Sequence, residues 1–176
     1  MGKSTLDDLK NRRSIRSFKP DQIKDAELDA VLEAGTWAPS GGGGQSAVIV
    51  SIQDKAIIEK LEKLNAAVLG DASKKPFYGA PTVIAVLADK TVKPTFVEDG
   101  SLVLGNLQNA AYATGVGSCW IHRAKEVFSS DEGKALLKEW GLSDNFVGVG
   151  FCILGYPLGD VPAPKPRKAD YIIKIK

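Results

Sequence analysis

Residues Asp99 to Thr114, DGSLVLGNLQNAAYAT, read as a helix that is apolar on most of its sides and is stopped by Gly115. A helix with so little polar surface has to be covered almost all round, so this segment predicts a central helix, buried in the domain or at a subunit contact. Thr82 to Ala88 and Phe146 to Leu154 read as strands, the first of them buried. The 176 residues fit one domain, 1–176. A chain of that length can bury roughly 70% of the surface it exposes when unfolded, enough for a real core.

The other elements arrange themselves around that centre. Thr5 with Asp8 three residues on can cap a short helix carrying Leu6 and Leu9, which ends near the basic run Asn11 to Lys19. Asp25 opens a second helix with Leu28, Val31 and Leu32 on one face, and Ala38-Pro39 stops it just before the glycines Gly41 to Gly44. Ala47 to Gln53 reads as a strand, and Asp54 as the N-cap of a helix whose inner face carries Ile57, Ile58, Leu61 and Leu64. A later helix runs from about Ser130 to Trp140, with Gly141 as its stop. Pro157 to Pro166 is a loop or arm, and Tyr171 to Lys176 alternates apolar and basic residues in a β pattern. A terminal strand needs a partner, and another subunit can supply one. Helices and strands mix throughout, which makes the class α+β.

Several classes of function are excluded. A formal net charge of +2 gives little drive for binding a nucleic acid. No apolar run reaches the roughly 20 residues of a membrane span, and MGKSTLDDLKNRR has no hydrophobic signal stretch, so a cytoplasmic protein is expected. Cys119 and Cys152 are the only cysteines and His122 the only histidine, too few soft ligands for the usual zinc sites and no disulfide framework. Cys152 lies in an apolar run, where a buried reduced thiol is the expected state. No GxGxxG or GxxxxGK[ST] pattern occurs, so neither a dinucleotide fold nor a P-loop is supported.

Two features remain as candidates for chemistry. Four consecutive glycines let backbone amides approach a flat or anionic ligand, although a flexible connector has the same composition. Arg12-Arg13-Ser14-Ile15-Arg16 places three guanidinium groups and a hydroxyl within five residues, suited to a phosphate or an electron-rich ring edge and equally to a solvated basic face. Lys165, Arg167 and Lys168 form a second basic cluster in the Pro-rich arm. An alternative of another class is a Cys119–His122 nucleophile and base, three residues apart on a turn.

The order of these pieces resembles the nitroreductase family over nearly the whole chain. RRSIRSF at Arg12 to Phe18 looks like the family's opening R-x-S-x-[RK]-x-[FY], and the Ala-Pro-Ser-Gly element followed by Gln45 is similar to its A-P-S-x-x-N-x-Q loop. FYGAPTVIAVLAD, DGSLVLGNLQNAAYATGVGSCWI, ILGYP and KPRK then follow in the family's order. The resemblance implies non-covalent FMN, with Arg12, Arg13, Ser14 and Arg16 at binding positions and Arg16 at the pyrimidine edge of the ring. Lys165 and Arg167 match the late basic pair that completes the phosphate site. Pro39, Ser40 and the loop through Gly41, Gly43 and Gln45 are implied to come from the opposite subunit, and the backbone at Ile121 and His122 to lie against the central ring. The implied fold is a mixed β-sheet flanked by helices, with the C-terminal arm exchanged in a homodimer.

The implied activity is transfer of hydride or electrons from NAD(P)H to a small planar acceptor, a nitroaromatic or quinone, by a ping-pong mechanism. Reduction of a flavin adds negative charge near N1 and the C2 oxygen, and a guanidinium fixed there stabilises the reduced form more than the oxidised one. A non-catalytic FMN carrier, or a flavin-fragmenting or dehalogenating relative, is the alternative on the same scaffold. The sequence departs from the family pattern at Gly43, where asparagine is usual, and at Ser46-Ala47, where Pro-Trp often stands.

Overall fold

The computed structural model describes residues 5–176; the first four, which open the stretch read above for a signal, lie outside them. A short helix α1 (Thr5–Asn11) carries Asp7 and Asp8 in its first turn and Lys10 in its last, a charge order that suits the helix dipole. It leads into the basic run, which lies along the sheet edge. Ile15 N–H donates to Ser118 O at 2.9 Å, Ser14 forms an isolated parallel bridge with Ser118, and Phe18 an antiparallel one with Pro157. Ile15 and Phe18 are buried, and together these ties fix the path of the arginines between them.

Helix α2 (Asp25–Thr36) turns Leu28 and Val31 inward and ends ahead of Pro39, and a single 3-10 turn spans Gly41–Gly43. Strand β1 (Ala47–Ile52) is followed by helix α3 (Lys55–Leu69), whose first turn is capped by Asp54 Oδ1 accepting from Ile57 N–H at 2.9 Å. Strand β2 (Thr82–Asp89) leads to helix α4 (Phe96–Ala113). Strand β3 (Gly117–Ile121), helices α5 (Ala124–Ser129) and α6 (Asp131–Glu139), and strand β4 (Phe146–Gly155) complete the order.

The four strands form one sheet in the order β1-β2-β4-β3, each pair antiparallel. The parallel component of the expected mixed sheet is confined to the Ser14–Ser118 bridge. Both faces of the sheet are covered, which explains why β2 reads as an unbroken apolar run. Val83, Ala85 and Leu87 face one cluster with Leu61, Phe128 and Phe151, under α3, α5 and α6. Ile84, Val86 and Ala88 face the other with Val31, Leu104 and Leu107, under α2 and α4. Phe151 is fully buried and meets Phe77 edge-on, with centroids 5.2 Å apart. Burying one such side chain stabilises by about 1.5–3 kcal/mol.

The α+β architecture stands as expected; α4 packs Val103, Leu104, Leu107 and Ala111 inward, whereas Val97 and Leu102 on it are exposed, so the cover expected on most of its sides is not met within one chain. Helix α4 starts at Phe96, three residues ahead of the Asp99 expected from the sequence, because Asp99 is not used as a cap and is itself buried inside the first turn. The sequence assigned no structure to β3 or α5, which have five and six residues. Residues 157–166 form the expected arm, without helix or strand beyond the Phe18–Pro157 bridge. The expected terminal strand does not form within this chain: Tyr171, Ile172, Ile173 and Ile175 are exposed, and its alternating residues find no partner strand among the described residues.

Candidate functional site

Two hollows flank α4, and each takes in one of the segments singled out by sequence. The first, about 140 Å³, lies between Arg12, Arg13, Tyr112, Ser118 and Pro157. Arg13 Nη1 donates to Lys10 O at 2.8 Å and to Arg12 O at 2.7 Å, so its guanidinium is held by its own backbone. Arg12 Nη1, Arg13 Nε and Ser118 Oγ are buried with no hydrogen-bond partner, as is Asp8 Oδ1 one turn before Arg12. Each buried polar group left unmatched costs about 1–3 kcal/mol. Three of these orphaned groups can donate and two of those are cationic, the complement of an acceptor-rich anion, while the fourth, Asp8 Oδ1, can only accept. Arg16 lies next in the run, exposed to solvent.

The second hollow, about 280 Å³, is bounded by Thr36, Pro39, Ser40, Gln45, Ile49 and Asp99. Here the polar groups are matched. Asp99 is 3% exposed; its Oδ1 accepts from Gly41 N–H at 2.9 Å and its Oδ2 from the Ser46 hydroxyl at 3.0 Å. Ser40 Oγ accepts from Gln45 N–H at 3.0 Å and closes the loop on itself. A Cβ on Gly41 would lie 2.2 Å from Thr95 Oγ1, and one on Gly44 2.6 Å from Lys93 Cγ. Close approach to the short Thr95 side chain disfavours any side chain at Gly41, at Gly44 the flexible Lys93 would have to move, and the Asp99 and Ser40 hydrogen bonds make the loop an ordered element instead of a loose connector. Gly43 differs: its φ is +69° and a Cβ there would meet nothing within 4 Å. Left-handed backbone is where asparagine follows glycine in preference, so the departure from the family pattern keeps the chain path and deletes only a side chain.

The hollows share no lining residue. Val103 in one and Tyr112 in the other are nine residues apart on α4, roughly 13 Å of axis. Within one chain the structure thus groups Arg12, Arg13 and Ser14 with Ser118, and separately Pro39, Ser40, Gly41 and Gln45. Lys165 and Arg167 lie in the exposed arm, where Arg167 Nη2 donates to Lys165 O at 2.9 Å. Ile121 is buried at the end of β3 and His122 is exposed just beyond it.

The Cys119–His122 pair does not assemble. Cys119 is 1% exposed in the core beneath α3 and α5, and its Sγ–H points to Trp120 O. Burial pushes the Cys152 thiol strongly upward, which keeps it protonated. Among the described residues no group of His, Cys, Asp or Glu side chains could hold a metal ion, and no helix is long and apolar enough to cross a membrane.

Three polar residues of this region were not found from the sequence: Asp99, Ser118 and Asn65. Asn65 is fully buried on α3; its Nδ2 donates to His122 O at 2.8 Å and its Oδ1 accepts from Arg123 Nε at 3.0 Å. Its signal was a polar residue one turn after Leu61 on an otherwise apolar face. At the start of the arm, Tyr156 O–H donates to Glu27 Oε2 at 2.6 Å, which holds the Glu27 carboxyl below its usual range.

Known proteins share this fold. The nitroreductase family model matches residues 9–156. A relative from Archaeoglobus fulgidus, provisionally named NADH dehydrogenase/NAD(P)H nitroreductase, is 30% identical over 151 residues, 83% of this chain and 81% of that protein. A nitroreductase with bound FMN from Bacteroides fragilis has a TM-score of 0.90 at 26% identity and covers 99% of this chain and 100% of its own. An FMN-dependent nitroreductase from Clostridium difficile has a TM-score of 0.78, also at 26% identity, over 94% and 95% of the two chains. The chain belongs to the nitroreductase family.

Proposed function

We propose that this protein is an FMN-dependent oxidoreductase that takes electrons from NADH or NADPH and delivers them to a small planar acceptor, a quinone or nitroaromatic, by a ping-pong mechanism. The observation that carries this reading is the set of buried, unmatched donors on Arg12, Arg13 and Ser118, in a hollow too small for a ligand by itself. Neither hollow reaches the roughly 300–1,000 Å³ typical of cofactor sites. A homodimer that sets the glycine-loop hollow of one subunit over the arginine hollow of its partner would supply the missing volume. The exposed apolar residues of the tail support the same assembly, with the arm crossing to the second subunit.

In this reading Arg12, Arg13 and Ser14 hold FMN together with Lys165 and Arg167 of the arm, the basic pair taking the phosphate. Pro39, Ser40, Gly41, Gly43 and Gln45 line the opposite wall, and Ile121 with His122 border the ring. Bound there, FMN would supply the redox chemistry between the nicotinamide and the acceptor. Arg16 is the group assigned to catalysis, because a guanidinium at the pyrimidine edge stabilises charge that exists only after reduction. No side-chain nucleophile is needed. One domain over 1–176 and a cytoplasmic location complete the proposal.

The test is the absorption spectrum of the purified protein, with added FMN, followed by anaerobic addition of each nicotinamide. A flavin spectrum bleached by NADH or NADPH, recovered by a quinone with parallel lines in double-reciprocal plots, is expected. Protein that neither carries nor takes up FMN would overturn the reading. Bound flavin that neither nicotinamide reduces would point to the carrier alternative. Light scattering should return twice the chain mass, and a flavin-loaded monomer would refute the shared site.

A further inference from the structure

Arg123 adopts φ +76° and ψ 11°, left-handed backbone that costs a residue with a side chain free energy. Such an outlier persists only where its surroundings over-determine it, and here Asn65 does so. Its amide bonds both sides of the turn, the His122 carbonyl through Nδ2 and the Arg123 guanidinium through Oδ1. The orientation of the amide is fixed by its partners, since a carbonyl demands a donor and a guanidinium an acceptor. Both bonds are formed by a side chain with no solvent exposure, 57 and 58 residues away in sequence.

This clamp sets the direction of one peptide group. The His122–Arg123 bond is trans and planar, so a carbonyl turned toward α3 leaves the Arg123 N–H pointing the opposite way. No acceptor among the described residues takes a hydrogen bond from that N–H. The turn follows directly on Ile121 at the end of β3, the segment assigned above to the flavin border. A clamp serving only the fold could equally have been met by a glycine at position 123, which needs no support to be left-handed.

We propose that Asn65 is a positioning residue of the flavin site: by gripping His122 O and Arg123 it aims the Arg123 peptide N–H outward, as a donor to an acceptor atom of the bound flavin ring. The inference rests on the FMN reading above. Asn65 touches neither cofactor nor substrate and acts through the backbone it holds.

Two measurements test it. In the wild-type protein labelled with nitrogen-15, titration with FMN should shift the Arg123 amide resonance downfield and slow its exchange with solvent. An Arg123 amide unmoved by FMN that demonstrably binds would overturn the proposal, whereas absence of FMN binding would overturn the function proposed above instead. Among variants, Asn65→Asp keeps an acceptor for Arg123 and loses the donor to His122 O. It should bind FMN within about threefold of wild type while its flavin spectrum and midpoint potential shift and kcat falls about tenfold. Arg123→Gly should restore most of the lost turnover when added to Asn65→Asp, because glycine holds the turn without the clamp. A merely structural Asn65 would lower the melting temperature of Asn65→Asp and leave potential, spectrum and kcat unchanged, and that result would sink the idea.

Discussion

The hollows on either side of α4 are built on opposite principles. Around the glycine loop the polar groups have partners: the Asp99 carboxylate takes Gly41 and Ser46, and the Ser40 hydroxyl takes Gln45. Around the arginines, Arg12 Nη1, Arg13 Nε and Ser118 Oγ are buried and unmatched. The first hollow is a finished part of the scaffold. The second carries a deficit that a bound anion would remove, and the free energy recovered there would then be available for binding. Damage to the first should therefore appear as lost stability, and damage to the second as lost affinity.

The largest effect should come from Asp99→Ala. It strips the partner from Gly41 N–H and from the Ser46 hydroxyl in a site closed to solvent, and should cost about 2–4 kcal/mol of stability with or without FMN. Urea unfolding of the apo protein measures this directly. A loss under about 1 kcal/mol would mean that the clamp adds nothing net and that the two hollows are alike.

Arg12→Met and Ser118→Ala should do the reverse. Removing the unmatched Ser118 hydroxyl, or the guanidinium whose Nη1 is unmatched, should leave apo stability within about 1 kcal/mol of the parent, because those orphaned atoms hold no protein partner. FMN affinity should fall about 30-fold for Arg12→Met, the equivalent of one charge-assisted contact of roughly 2 kcal/mol. Fluorescence quenching of FMN beside apo melting curves separates the two quantities, and a variant destabilised without weaker binding would break the contrast.

Within the proposed site, Arg167→Ala and Arg16→Ala refine that picture. Each should weaken FMN by about 30-fold or less, given that both side chains are exposed in the single chain. At saturating FMN, Arg167→Ala should recover most of its turnover, since a phosphate contact is equal in both redox states. Arg16→Ala should stay slow with a lowered midpoint potential. An unchanged potential would remove Arg16 from the ring edge.

Features repeated along an element were legible in the sequence; features closed by one distant pair were not. Helix α4 announced itself because Val103, Leu104, Leu107 and Ala111 are apolar on adjoining faces, and β2 because sheet and helices bury both of its sides. Asp99, Asn65 and Ser118 stand singly in apolar surroundings, and their meaning lies in partners more than 50 residues away for the first two, which no local pattern reveals. Strand β3 begins Gly117-Ser118-Cys119, with little β-branched character, and α5 is shorter than two turns, so neither produced a periodic signal. The tail's alternation was visible, but its pairing is not a property of one chain.

The smallest expected effect belongs to Gly43→Asn, and it asks where the order of the glycine loop resides. If the loop is held by Asp99, Ser40 and the close approach of Gly41 and Gly44 to Thr95 and Lys93, position 43 contributes only its left-handed φ. Asparagine tolerates that conformation and its Cβ would meet no neighbour within 4 Å, and it loses less chain entropy on folding than glycine does. The variant should thus keep apo stability within about 0.5 kcal/mol of the parent, in contrast to Gly41→Ala, whose Cβ collides with Thr95. Its added amide projects from the wall assigned to the partner subunit's flavin, so FMN should bind equally well or a few-fold more tightly. Thermal melts of Gly43→Asn and Gly41→Ala, run side by side, decide the matter. Equal destabilisation in both would show that the close approach at Gly41 counts for no more than the left-handed φ at Gly43, and the loop would lose its standing as the finished half of the site.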